Sequence, residues 1–407
     1  MRIIGMRQNA AGKDADRPAP ASLEPAALWE LALIFLRLGT VAFGGPAAHI
    51  AMMRSEFVER REWLTEAEFL DLVGASNLIP GPGSTEVALF VGLRRAGWAG
   101  LLLAGLFFIL PAALIVTAIA WAYMRFGHLP QAAGILYGVK PVIIAVVAQA
   151  LWTLGRTALK TRFLAMLGAA GLALCFLGAA PLALLFGTGA LLGARGWLLD
   201  EPKRAAKPLL ALGLVVALLA GLPLALTAFQ PAASRTVGLA PLFVVFLKIG
   251  AVVYGNGYVL LAFLRADLVT RLHWLTSAQL LDAVAVGQFT PGPVFTTATF
   301  IGYVVAGPWG ALAATVGIFL PAFLLVAISG PLVPRIRQSP TAASFLDGVN
   351  VAALTLMAFV TGQLARAALV DAATIVLAVS AAIVLFRWRV NSAWLVLAGA
   401  IVGLLLH

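Results

Sequence analysis

The sequence predicts an all-α polytopic membrane protein made of two inverted-topology repeats, each of about six transmembrane segments. Three observations carry this: extreme apolarity, an internal repeat at a fixed offset, and a Pro-Gly-Pro break at the same place in each copy. Of 407 residues, 62% are hydrophobic and only 11% are charged. A soluble domain of that length could not cover itself with so little polar surface. The formal net charge of +11 would suit a nucleic-acid partner, but no soluble domain remains to carry a basic groove. The basic residues read instead as topology signals in loops. The expected partner is therefore the lipid bilayer and not nucleic acid. The single cysteine, Cys175, lies in an apolar run, so there is no disulfide framework.

In chain order, residues 1–25 are polar, mixed in charge and rich in Ala and Pro, the composition of a disordered cytoplasmic tail. Thirteen apolar runs follow, near 26–46, 67–93, 97–124, 131–154, 162–179, 180–195, 208–228, 239–260, 280–303, 307–329, 343–365, 371–387 and 391–406. About 20 residues are needed to cross the hydrocarbon. The runs at 162–179 and 180–195 are short for that.

Residues 35–86 align without a gap on 246–297 at an offset of 211, and 20 of the 52 pairs are identical. Arg54, Arg60, Trp63, Leu64, Thr65 and Asp71 recur as Arg265, Arg271, Trp274, Leu275, Thr276 and Asp282. The match continues at an offset of 210, with "FILP" at 108–111 on "IFLP" at 318–321. The expected organisation is a first repeat over 26–207, a linking transmembrane segment over 208–238 and a second repeat over 239–407. Six segments plus one is odd, so the second copy should enter the membrane upside down.

Charge supports that orientation. With the N-terminus inside, the inside segments hold 19 lysines and arginines and the outside segments six. Equivalent loops exchange their charge: "GLRRAG" at 92–97 becomes "GYVVAG" at 302–307. The exception is the loop from Arg54 to Arg61, which is basic in both copies although one must face outward. It is either functional or a solvated interfacial helix neutralised by Glu56, Glu59, Glu62 and Glu66.

Two interrupted helices in an inverted repeat are a transporter arrangement, with the substrate held between half-helix ends. The breaks are Pro80-Gly81-Pro82 and Pro291-Gly292-Pro293. Proline removes a backbone donor and glycine accepts strained dihedrals. A helix restarting after such a break presents free amides and the positive end of its dipole to an anion. Gly83, Ser84 and Thr85 follow the first break, while Thr296 and Thr297 follow the second, with Thr290 just before it. Asn77 and Gln288 occupy equivalent places three residues before each break. Arg37 and Lys248 are equivalent cations within the first helix of each half, candidates for holding the anion. The alternative for them is snorkelling or pairing with Glu30. Gly44-Gly45 and Gly255-Asn256 follow those cations and are expected to bring backbone close to the same cavity. Glu86 has no acidic twin, since Thr297 replaces it; proton coupling and simple ion pairing are both open for it. The four histidines are scattered, and no metal-ligand spacing, P-loop or nucleophile motif appears. No cofactor and no enzymatic activity are expected, and transport without a nucleotide site must be secondary or passive.

"FLRLGTVAFGGPAAHI", "WLT", "NLIPGPGSTE" and "GQFTPGPVFTTATFIGY" together resemble the chromate ion transporter family, in its fused two-unit form, over about 30 to 405. The resemblance implies export of chromate, a sulfate-like tetrahedral oxyanion, across a bacterial inner membrane, and hence chromate resistance. Transport of sulfate or another oxyanion, or an anion channel, remain alternatives, and a homodimer is compatible with everything above. Gly45-Pro46 and Gly83-Ser84 are replaced by Asn256-Gly257 and Val294-Phe295 in the second copy, so the two half-sites should differ.

Overall fold

The computed structural model describes residues 25–43, 45–127, 129–199, 237–254, 259–329, 340–388 and 390–406. Nearly all of the expected tail and of the linking segment, with Gly44, Gly255 and Asn256, lie outside the described residues.

The described chain is helical. In the first half, α1 is Pro25–Val41 and α2 is Gly45–Arg54, the latter prolonged by a π-helical turn over Ser55–Arg60. Next come α3 (Glu66–Ser76), α4 (Gly83–Phe126), α5 (Pro130–Ala158), α6 (Arg162–Phe176) and α7 (Pro181–Leu199). The second half runs α8 (Leu239–Val252), α9 (Leu260–Leu264), a π-helical turn over Arg265–Arg271, and α10 (Ser277–Phe289). It continues through a short 3₁₀ turn at Val294–Thr296 into α11 (Thr297–Ser329), α12 (Pro340–Ala368), α13 (Ala372–Trp388) and α14 (Ser392–Leu406).

Local devices recur in both halves. Thr65 and Thr276 each cap a helix through a reciprocal box, with Glu68 and Gln279 respectively. Each half also carries its π-helical turn at the equivalent place. The repeat therefore extends from residue identity to backbone form.

The first α4 turns matter most for the site. Ala96 and Gly97 leave helical geometry, Gly97 with φ +58°, and so do Ala306 and Gly307 in α11. In a continuous helix residues 92 and 100 would lie about 12 Å apart. Here a Cβ on Gly92 would collide with the Gly100 carbonyl, and the reverse. The chain folds back on itself, and only glycine permits the backbone contact. Gly302 and Gly310 repeat the arrangement.

This corrects one expectation. The run 67–93 was expected to cross the membrane as a broken helix. Instead Arg94 pairs with Glu68, and the Arg95 guanidinium lies 4.6 Å from the centroid of the Trp63 ring. The chain runs along α3, turns at Pro80-Gly81-Pro82 and doubles back, so that Arg94 lies beside Glu68. α3 and the stretch from Gly83 to Arg95 are each only about 16–20 Å long, short of a hydrocarbon core of about 30 Å. The segment from α1 to Arg60 is a second hairpin: Arg61 pairs with Glu30, and the Phe35 and Phe57 rings lie 5.4 Å apart. Hairpins save polar backbone from lipid only if their tips are buried in protein, and Pro80, Gly81 and Pro82 are buried.

Among the described residues, four helical stretches are long and apolar enough to cross a membrane: Gly83–Phe126, Pro130–Ala158, Val294–Ser329 and Pro340–Ala368. In the first and third, the straight spanning part follows the kink. Trp98, Leu102, Leu106, Leu110 and Leu114, four residues apart along α4, are all exposed. That is one helix stripe turned to lipid, which needs no polar cover. The largest apolar core instead joins α5, α8, α10, α11 and α12, and it encloses the second half's hairpins.

Candidate functional site

The two Pro-Gly-Pro tips do not sit in separate halves; each docks on the other half. The Gly81 N–H donates to the Val253 carbonyl at 2.7 Å, and the Gly292 N–H donates to the Ala42 carbonyl at 2.9 Å. Ala42 and Val253 are themselves repeat-equivalent, at the ends of α1 and α8. Gly81 has φ +144° and Gly292 φ +89°, conformations that only glycine holds without strain. At Gly292 a Cβ would meet the Ala112 Cβ at 2.7 Å and the Gly39 carbonyl at 3.2 Å. The tips are thus backbone against backbone, each set just before a restarting helix and docked on the end of the other half's first helix.

His49 joins this junction. Its Nε2 lies 3.0 Å from the Ala42 carbonyl and its Nδ1 3.1 Å from the Ser84 hydroxyl. A carbonyl can only accept, so Nε2 carries the proton and Nδ1 accepts from Ser84. One carbonyl, Ala42, therefore takes the Gly292 amide from the second half and His49 from the first. Reading the sequence missed His49, because its repeat partner is Leu260 and no pattern marks it. Tyr254, which follows Val253 and is fully buried, was missed for a similar reason: its twin is Phe43.

The hydroxyls expected to bind an anion are mostly engaged. Ser84 serves His49, Thr296 donates to the Pro293 carbonyl at 2.8 Å, and Thr297 to Val294 at 2.7 Å. Thr290 donates to Val286 at 2.9 Å. Thr85, fully buried, has a hydroxyl with no hydrogen bond inside the protein, and so has the Gln288 amide nitrogen. Asn77, the twin of Gln288, is exposed. Gly83, right after the first tip, is half-buried, and no atom stands within 4 Å of where its Cβ would be. Gly45, at the start of α2, has φ +78°.

The expected cation pair is not brought to the tips as free charge. Lys248 is buried and held by both Asp267 oxygens, at 2.8 and 2.9 Å. Arg37 lies 4.0 Å from Glu56, and its side chain is 60% exposed. Glu56 and Asp267 are repeat-equivalent, so the two cations are twin structural ion pairs. Lys248 is thus met by a carboxylate close to it, whereas Arg37 shares Glu56 with Arg60 and Arg61. Glu56 also takes Arg60 at 2.7 Å and Arg61 at 2.8 Å. Burial raises its pKa, but these guanidiniums outweigh that and hold the carboxyl below its ordinary value. The basic loop is thus an ion-pair network at the hairpin base, closed further by Arg54 on Glu66 and Glu59.

Glu86 stands apart. It is fully buried one turn into the half-helix, its carboxylate against the Cα of Gly81, and neither oxygen has a hydrogen bond within the protein.

The halves are not equivalent. Asp282 bridges to the first half, accepting from Tyr123 at 2.9 Å and pairing with Lys140 at 3.1 Å. At the equivalent positions Asp71 and Asn350 are both exposed. α5 therefore covers the second hairpin pair, while the first is more open.

The sequence model of the chromate transporter family matches the chain twice, over residues 29–194 and 240–404. The chromate transport protein of Cupriavidus metallidurans is 33% identical over 388 residues, 93% of each chain. That of Pseudomonas aeruginosa is 33% identical over 414 residues, 99% of this chain and 98% of its own. An uncharacterized transporter of Bacillus subtilis, YwrA, is 31% identical over 130 residues, covering 32% of this chain and 73% of its own length. No solved structure matches.

Proposed function

We propose, since this chain belongs to the chromate transporter family, that it carries chromate dianions out of a bacterial cytoplasm through the inner membrane. It is a multi-pass membrane protein of a transporter family, and the related proteins over most of its length are chromate transport proteins. The observation that carries the residue-level reading is the crossed pair Gly81–Val253 and Gly292–Ala42, which anchors each tip, just before its helix restarts, on the end of the other half's first helix. First-turn amides and the helix dipole attract an oxyanion there without any net protein charge. In this reading the dianion lies on the Gly83 and Ser84 amides, beside the Thr85 hydroxyl, while the Thr85 and Glu86 amides donate to the Pro82 carbonyl at 2.7 and 3.1 Å.

We read the two halves, 26–207 and 239–407, as inverted copies. Tyr123, at the far end of α4, meets Asp282 near the entry of α10. Val326, at the far end of α11, packs in one cluster with Leu101. The far end of each half's spanning helix thus lies by the entry face of the other half's hairpin. The charges support this further. With the first hairpins returning to their own face, Arg54, Arg60 and Arg61 join Arg94 and Arg95 inside, and Arg265 and Arg271 move outside. The division improves to 20 inside and five outside, with the N-terminus cytoplasmic. The awkward basic loop of the first copy then obeys the rule.

Export also follows the field. One charge moved through 100 mV is worth about 2.3 kcal/mol, so a dianion leaving a negative interior gains roughly 4.6 kcal/mol. The test is uptake of radiolabelled chromate by everted vesicles under an inside-positive potential, with sulfate as competitor. Vesicles carrying the protein should accumulate chromate above empty ones; equal accumulation refutes the proposal.

A further inference from the structure

We infer that Glu86 is a proton site of the transporter, protonated whenever a dianion is held at the first Pro-Gly-Pro tip, so that each chromate crosses with one proton. This rests on the function proposed above. The carboxyl group is fully buried and neither oxygen is bonded within the protein. It lies against Gly81, whose amide is committed to Val253. Among the described residues no cation is paired with it: Lys248 is held by Asp267, Arg37 is beside Glu56, and Arg94 is on Glu68. An unpartnered carboxylate is tolerated as an ion only while water reaches it, so closing the protein over Glu86 and a bound dianion requires the neutral acid.

Among the described residues, few titratable groups stand on the elements around it. From the end of α8, Tyr254 faces it, its hydroxyl likewise buried and without a hydrogen bond. From α2, His49 is occupied by Ser84 and Ala42. On α3, Asp71 is exposed, and the nearby stretch of α11 presents Ala322 to the same glycine. None supplies positive charge to an ionised Glu86.

The dianion site on the first-turn amides is within one helical turn of this carboxyl. An ionised Glu86 would repel the dianion, and protonation removes that repulsion. By linkage, a bound dianion must then promote proton binding as strongly as the proton promotes dianion binding. A proton from cytoplasmic water adds to a Glu86 oxygen as chromate binds, and returns to water on the far side when chromate leaves. The second half carries Thr297 at this place, so the count is one proton and not two. One net negative charge then leaves per chromate.

The test uses the full chain purified in detergent, in a weakly alkaline, weakly buffered solution containing a pH dye, where dissolved chromate is a dianion. Chromate binding is measured by equilibrium dialysis of the radiolabelled anion, and proton uptake in parallel. The wild type should take up close to one proton per chromate bound. Glu86→Gln should bind chromate and take up none. If that variant fails to fold, Glu86→Thr, which carries the second half's residue, is read in the same way. Wild-type binding without proton uptake, or unchanged uptake in the variant, overturns the inference and leaves the transport function standing. Absence of any chromate binding by the wild type defeats both.

Discussion

The Gly81 amide donates to the Val253 carbonyl at 2.7 Å, and its repeat twin, Gly292, donates to Ala42 at 2.9 Å. Each half of the chain thus completes the tip of the other. Neither unit completes its own tip, which gives a physical reason for two units to be joined or paired.

The first prediction concerns these tips. Gly292→Ala forces a Cβ to within 2.7 Å of the Ala112 Cβ at a φ of +89°. Strain of this kind costs about 1–3 kcal/mol. The variant should melt earlier in detergent and lose chromate flux in everted vesicles. Wild-type melting together with wild-type flux would show that the tip packing is not needed.

The ion pairs make a second. Lys248→Gln takes the buried cation from Asp267 and leaves it Arg271 at 3.1 Å, a loss of about 1–3 kcal/mol. The double change Lys248→Leu with Asp267→Leu should recover most of the stability. Arg37→Gln, at an exposed position, should cost no more than about 1 kcal/mol. Thermal melting of the purified variants decides. Flux lost at unchanged melting temperature in Lys248→Gln would return the lysine to the substrate.

His49 gives a third. His49→Phe removes the hydrogen bond to Ala42 and the acceptor for Ser84, in a fully buried place. Leaving such groups unpaired costs about 1–3 kcal/mol each. Flux and stability should both fall, and His49→Gln, which can donate and accept, should restore part of each. Equal behaviour of the two variants would remove the hydrogen-bonding role.

The hairpin course can be tested chemically. With Cys175→Ser as background, Glu59→Cys and Arg94→Cys should react with an impermeant maleimide from the same side of the membrane. Labelling from opposite sides would mean that the segment between them crosses after all.

Much of this was legible in the residues. The repeat at offset 211, the paired breaks and the apolar runs mark a duplicated membrane protein, because each is a local pattern. The re-entrant course was not legible. Hydropathy is the same for a run that crosses and for one that enters and turns back, since both must be apolar. Only Arg94 on Glu68 and Gly92 on Gly100 separate them. One misfit does point that way: the loop from Arg54 to Arg61 is basic on the face that alternating spans put outside.

The sequence by itself determined the class of protein, its twofold construction and the placing of special backbone at Gly81 and Gly292. These rest on composition and on steric rules that act within a few residues. Tertiary structure alone decided the rest. It gave Arg37 and Lys248 to Glu56 and Asp267, drew His49 onto Ala42, and left Glu86 buried without a partner. Which charge meets which, across 19 residues or across half the chain, depends on the path of the backbone through space, and no local pattern encodes that path.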